Sequence, residues 1–166
     1  MAREFRFWVI SGLFLGYFWA LPVHAATPAG TVIENTAEIL FDDTSMTTNA
    51  TSITVAQVGG VNLEAASTQV TARPGTTVRL FFLLTNTGNA PDSYQVTATG
   101  TRGWTLVWTD YVGVLAMGEQ RTVEVQVVVP LLARNNAVDT VTVQATSLFD
   151  SAAASATTQV RVRRRF

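Results

Sequence analysis

Hydrophobic and polar positions alternate with a period of two along most of the chain, most clearly between Thr76 and Gly100. From Val78 onward, Val78, Leu80, Phe82 and Leu84 share one face while Arg79, Phe81, Leu83 and Thr85 share the other, the spacing of a strand. Both faces are largely apolar, so the pattern predicts a central strand. Asn86-Thr87-Gly88-Asn89-Ala90-Pro91-Asp92 gathers residues that accept positive φ, fix φ or bond their own backbone, the composition of a tight connection. Tyr94, Val96 and Ala98 then resume the alternation as a second strand.

Upstream, Thr31 to Phe41 sets a mostly apolar face of Ile33, Asn35, Ala37, Ile39 and Phe41 against Val32, Glu34, Thr36, Glu38 and Leu40, as a strand at an edge or on a solvated sheet does. Asp42-Asp43-Thr44-Ser45 makes a turn and Ala50 to Val58 returns. Residues 31–58 therefore predict a β-hairpin with a loop longer than the tightest kind. Gly59-Gly60 predicts a bend or bulge, a hinge being the alternative, and the body follows over residues 61–166. Val61 to Thr71 reads as one extended stretch and Arg73-Pro74-Gly75 as a turn. Trp104, Leu106 and Trp108 share a face, Tyr111 to Met117 reads as irregular, and Gly118-Glu119 turns the chain.

From Thr122 to Val129 the alternation is cleanest, with Val123, Val125, Val127 and Val129 inward. Pro130 ends that run because it has no N–H to give a ladder. After a loop from Leu131 to Asn136, with Arg134-Asn135-Asn136 at its tip, Val138 to Ser147 and Ala156 to Arg163 predict a closing pair of strands. No window carries a helical period, and Thr and Val dominate the strands. The expected fold is all-β, an immunoglobulin-like antiparallel β-sandwich of about 7–9 strands, with a closed barrel as the alternative.

Residues 1–25 follow a different rule. Arg3 and Arg6 precede an uncharged stretch from Phe7 to Val23, and Val23-His24-Ala25-Ala26 places small residues at the cleavage positions. This three-part pattern predicts a signal peptide cut after Ala25, leaving residues 26–166 as the mature domain. An uncleaved membrane anchor is the alternative, at the short limit for spanning a bilayer. The mature chain has no Cys, Lys or His, the one His being His24, so stability after export depends on burial without disulfides. Formal charge is −1 for the whole chain and −2 once Arg3, Arg6 and Glu4 are removed. Nucleic acid, which calls for a strongly basic face, is not an expected partner.

Losing His, Cys and Lys removes the usual general base, the thiol nucleophile and the common zinc ligands, so neither catalysis nor a cofactor is expected. Asp42 and Asp43, with Asp150 or Glu38, are weak calcium candidates, since hard cations want clustered oxygens. Adjacent Asp residues in a hairpin loop are more simply turn formers. Trp104, Trp108 and Tyr111 are candidates for stacking on a polysaccharide, or else the two indoles fill the core with Tyr111 near the rim. Arg161, Arg163, Arg164 and Arg165 make the one charge run. It suits anionic lipid, lipopolysaccharide or an acidic partner, unless it is a solvated end. The hairpin can add to a neighbour's sheet edge, which builds filaments, or swap to form dimers; pairing within its own sandwich is the simpler expectation.

Two resemblances cover most of the mature chain. Arg73-Pro74-Gly75, Thr85-Asn86-Thr87-Gly88-Asn89, Gly103-Trp104, Leu115 followed by Gly118, and Val127-Val128-Val129-Pro130 resemble the NPCBM-associated immunoglobulin-like domains that accompany carbohydrate-binding modules in bacterial glycosidases. Gly30-Thr31-Val32-Ile33-Glu34-Asn35-Thr36-Ala37 and Asn49-Ala50-Thr51-Ser52-Ile53-Thr54-Val55 resemble the joining segments of the conserved-repeat domains of bacterial and archaeal surface proteins. The resemblance implies a structural or spacer role without catalytic residues. The expected function is an exported structural or interaction domain of the periplasm or cell surface. It would bind other envelope or surface proteins, or further copies of itself, through sheet edges and loops; a carbohydrate-binding module is the alternative.

Overall fold

The computed structural model describes residues 26–41, 44–47 and 49–164. Alternating sequence becomes strand throughout: β1 (Val32–Asn35), β2 (Glu38–Phe41), β3 (Thr44–Thr47), β4 (Thr51–Thr54), β5 (Val61–Ala65), β6 (Gln69–Ala72), β7 (Thr77–Asn86), β8 (Asp92–Gly100), β9 (Thr105–Trp108), β10 (Tyr111–Leu115), β11 (Gln120–Val128), β12 (Val138–Ser147) and β13 (Ala153–Val162). Nine of them form a sandwich, a five-stranded sheet in the order β10-β8-β12-β13-β6 against a four-stranded sheet in the order β5-β7-β11-β9. The core lies between the sheets. Leu80, Phe82 and Leu84 of β7 and Val123, Val125 and Val127 of β11 meet Tyr94 and Val96 of β8, Val141 and Val143 of β12, and Val160 and Val162 of β13, all buried. These are the positions the period of two selects, so removing them from water is what drives the sheets together.

Several elements depart from the sequence expectation. β7 and β8 do not pair, because the connection through Asn86–Pro91 carries the chain from one sheet to the other. β7 is internal to its sheet, but its outer face is half solvated, with Phe81 44% exposed and Arg79 ion-paired to Glu124 at 3.5 Å. Residues 61–71 are two strands, β5 in the smaller sheet and β6 parallel to β13 at the edge of the larger one. The switch is made at Ser67 and Thr68, whose carbonyls accept from Thr158 Oγ1 and Gln159 N. Residues 111–115 are an edge strand, β10, with its register shifted between Val112 and Leu115. Such a bulge breaks the simple alternation, so the segment looks irregular in sequence.

The largest departure is the N-terminal hairpin. β1 pairs with β4, and β2 with β3, as two separate two-stranded ladders outside both sandwich sheets. Thr36 and Ala37 separate the two ladders on the outward strand. Side chains on β1 and β4 are exposed on both faces, Ile33 opposite Ile53 included. The hairpin stands off the sandwich rather than extending one of its sheets.

Candidate functional site

The strands define two ends. β7 runs from Thr77 at one to Asn86 at the other, about 30 Å for a ten-residue strand. At the Asn86 end lie the β7–β8 connection, the β12–β13 turn and the base of the hairpin. Asn89, only 7% exposed, clamps that base. Its Oδ1 accepts from Val58 N at 2.7 Å, and its Nδ2 donates to Ala56 O at 2.9 Å and Thr27 O at 3.2 Å. The backbone completes the joint through Ala29 N to Asn89 O and Asn89 N to Val58 O. Gly88 and Gly60 pass too closely for side chains, since a Cβ on Gly88 would sit 2.7 Å from Val58 O and one on Gly60 2.7 Å from Gly88 N.

Charged and phenolic groups reinforce the same joint. Asp150 accepts from Gly59 N at 2.8 Å and from Ala152 N at 3.0 Å. These N–H groups, that of Ala152 foremost, hold its carboxyl below the ordinary carboxylate range. Tyr94 donates from its hydroxyl to Gly60 O at 2.9 Å. Burial, then the negative charges of Asp92 and Asp150, push its pKa up to about 12. Ser147 Oγ donates to Asp92 Oδ2 at 2.5 Å and closes the turn beneath. Beyond the joint, Val32, Ile33 and Ile53 are exposed, as are Glu34 and Glu38, and residues 31–58 contain no basic residue.

The opposite end is basic. The loop after Pro130 is pinned by buried Ala133 and Ala137, by Asn136 at φ 62°, and by Asn136 N donating to Val162 O at 2.8 Å. With the small residues inside, Leu131 and Leu132 project, 74% and 85% exposed. Arg163 N donates to Ala72 O, and Arg164 donates from N to Asn135 Oδ1 and from Nη2 to Ala133 O, both at 3.0 Å. The C-terminal run is thus tied down through Arg164 rather than frayed; Arg165 lies outside the described residues. Across the loop, Arg102 N donates to Asp139 Oδ1 at 2.8 Å and its Nε to Val138 O at 2.6 Å.

Two shallow grooves flank Leu132. One, of about 510 Å³, is lined by Arg102, Trp104, Arg134, Asn135 and Asn136 among others. The other, of about 500 Å³, is lined by Arg73, Pro74, Leu131, Arg163 and Arg164. Among the described residues no carboxylate lines either groove. Among the described residues the ion pairs are Arg79–Glu124 and Arg121–Glu119, so the arginines without one gather at this end. Three of the groove arginines, Arg73, Arg102 and Arg134, escape sequence reasoning because they stand far apart in the chain and only strand topology assembles them.

The other sequence candidates disperse. Trp108 spends its indole N–H on Val96 O at 3.1 Å and packs on the core. Trp104 is half-buried beside the first groove. Tyr111, 50% exposed, belongs to the edge of the other sheet, so the three aromatics make no common platform. Arg161 is half-buried on β13, its Nε enclosed without a hydrogen-bond partner. Asp42 and Asp43 lie outside the described residues, and among those described no cluster of three His, Cys, Asp or Glu residues is placed to hold a metal.

No protein-family model matches the chain, and no curated protein sequence matches it. Solved structures match in outline. A family 123 glycoside hydrolase from Clostridium perfringens aligns with 63% of this chain at TM-score 0.49 and 8% identity, and the chain spans 28% of it. A FixG-related protein from Vibrio parahaemolyticus aligns with 64% of this chain at TM-score 0.48 and 9% identity, over 97% of its own length. Domains 4 and 5 of the S-layer protein SbsC align with 80% at TM-score 0.40 and 16% identity, over 67% of their length.

Proposed function

We propose that the chain is an exported, non-catalytic interaction domain of the cell envelope or surface, and that its protruding hairpin is the element that meets a partner. The observation that carries this reading is the hairpin itself: a two-stranded ribbon outside both sheets, with both faces of its β1–β4 ladder in solvent. Open strand edges and exposed β-branched residues invite association, and here they are presented on a joint stiffened by Asn89, Asp150 and Tyr94. Export is supported by the leader pattern of residues 1–25. The non-catalytic reading is supported by the lack of His, Cys and Lys in the mature chain. A carbohydrate-binding reading retains a single groove-lining indole, Trp104, since Trp108 is committed to the core.

A photo-crosslinking residue at Ile53, compared with one at Thr97 on the solvent face of β8, tests the assignment in intact cells. Protein adducts are expected from position 53 and none from position 97. An absence of adducts from both Ile53 and Ile33 defeats it.

A further inference from the structure

Resting on that reading of the hairpin, we propose that its partner is the arginine-rich end of a second copy of this chain, so that copies join head to tail. The two surfaces complement each other in charge. The described part of the hairpin carries Glu34 and Glu38 and no basic residue, whereas the grooves around Leu132 hold Arg73, Arg102, Arg134, Arg163 and Arg164 and, among the described residues, no carboxylate. They match in apolar character as well, Val32, Ile33 and Ile53 on one side and Leu131 and Leu132 on the other, each more than half exposed. Opposite charge steers the encounter and sets its orientation, and burial of the aliphatic groups supplies affinity.

The contact is necessarily between molecules. Hairpin base and arginine grooves lie at opposite ends of a sandwich about 30 Å long, so the hairpin cannot fold back onto its own grooves without leaving the Asn89 joint. A contact between two different patches is heterologous. Unless its rotation happens to close a ring, it propagates as an open chain. An anionic membrane would match the arginines and projecting leucines equally well in charge, but it would leave the acidic, apolar hairpin with nothing to meet.

Two charge-reversed variants of the mature chain test this, E34R/E38R in the hairpin and R134E/R163E in the grooves. None of the four side chains is buried, and neither arginine side chain makes a hydrogen bond that holds the loop, unlike those of Arg102 and Arg164. Both variants should therefore retain the parent's urea midpoint. By light scattering after size exclusion at about 50 mM salt, the parent should gain mass with concentration and return to monomer near 0.5 M, where surface charges are screened. Each variant alone should associate at least about tenfold more weakly, and an equimolar mixture should recover assembly because each then offers the other an opposite charge. Assembly unaffected by R134E/R163E, or no recovery in the mixture, overturns the proposal. So does a parent that stays monomeric while binding anionic phospholipid vesicles through its arginines. If the parent is monomeric yet Ile53 crosslinks to a different protein, self-docking fails and the hairpin reading stands; if Ile53 and Ile33 crosslink to nothing, the hairpin reading fails as well.

Discussion

Asn89→Ala should loosen the hairpin joint far more than an ordinary loop substitution would. The side chain makes three hydrogen bonds, one accepted from Val58 N and two donated to Thr27 O and Ala56 O, from a position 7% exposed. Each such bond is worth about 1 kcal/mol net, and a partly enclosed group left without its partner costs about 1–3 kcal/mol. Water reaches the outer side of the joint, Val58 being 58% exposed, so the total should fall near 2–3 kcal/mol rather than at the sum of three full penalties. At an m-value of about 2 kcal/mol/M, the urea midpoint drops by roughly 1–1.5 M. Amide exchange at Val58 should accelerate roughly 30- to 150-fold, the same free energy expressed as an opening constant. Asn89→Asp is the control: it keeps the acceptor facing Val58 but turns an anion toward two carbonyl oxygens, and should be at least as damaging. A midpoint shift below about 0.3 M with unchanged Val58 exchange would show that the backbone bonds alone hold the hairpin.

Three further outcomes follow from the same geometry. Val125 has no exposed surface and lies mid-core on β11, so Val125→Asp should abolish cooperative folding, an unpaired buried charge costing several kcal/mol; a sharp thermal transition in that variant would contradict the face assignment. Gly88→Ala should lower stability by about 2–4 kcal/mol, because the new Cβ would meet backbone at Val58 O and Gly60 N, which cannot swing aside; calorimetry showing no loss would disprove the close approach. Tyr94 has its pKa raised to about 12 in the folded chain, so it favours folding fully below about pH 10, the unfolded value, and that contribution is lost as pH rises through 12. Absorbance titration should then find one phenol that ionises only with alkaline unfolding, and a parallel Tyr94→Phe protein should lack that component.

Much of this molecule is written in local pattern. A strand's side chains alternate by covalent geometry, so Val123, Val125, Val127 and Val129, or Val141, Val143 and Ala145, declare their buried face without reference to any neighbour. The all-β class, the run from Val138 to Ser147 and the turns at Arg73-Pro74-Gly75 and Gly118-Glu119 are legible for that reason. What a local pattern cannot hold is which strand lies beside which. The turn residues of Asn86–Pro91 suit a hairpin and a crossing between sheets equally well, and only the packed sandwich decided that β7 and β8 face each other across the core. The break of residues 61–71 into β5 of one sheet and β6 of the other, parallel to β13, needed Thr158 and Gln159 to receive it.

The functional surfaces divide along the same line. The C-terminal arginines are contiguous and visible in the sequence, and so is the acidic, alternating stretch of the hairpin. Arg73, Arg102 and Arg134 join Arg163 and Arg164 only because the ends of β6, β8, β11 and β13 finish at one pole. Asn89 reads in sequence as one more turn former, and becomes a clamp because Thr27, Ala56 and Val58 arrive around it from more than thirty residues away in the chain. Period and turn chemistry act over a few residues and so determined the strands, whereas the two ends of the molecule were decided by contacts whose partners the chain brings together only on folding.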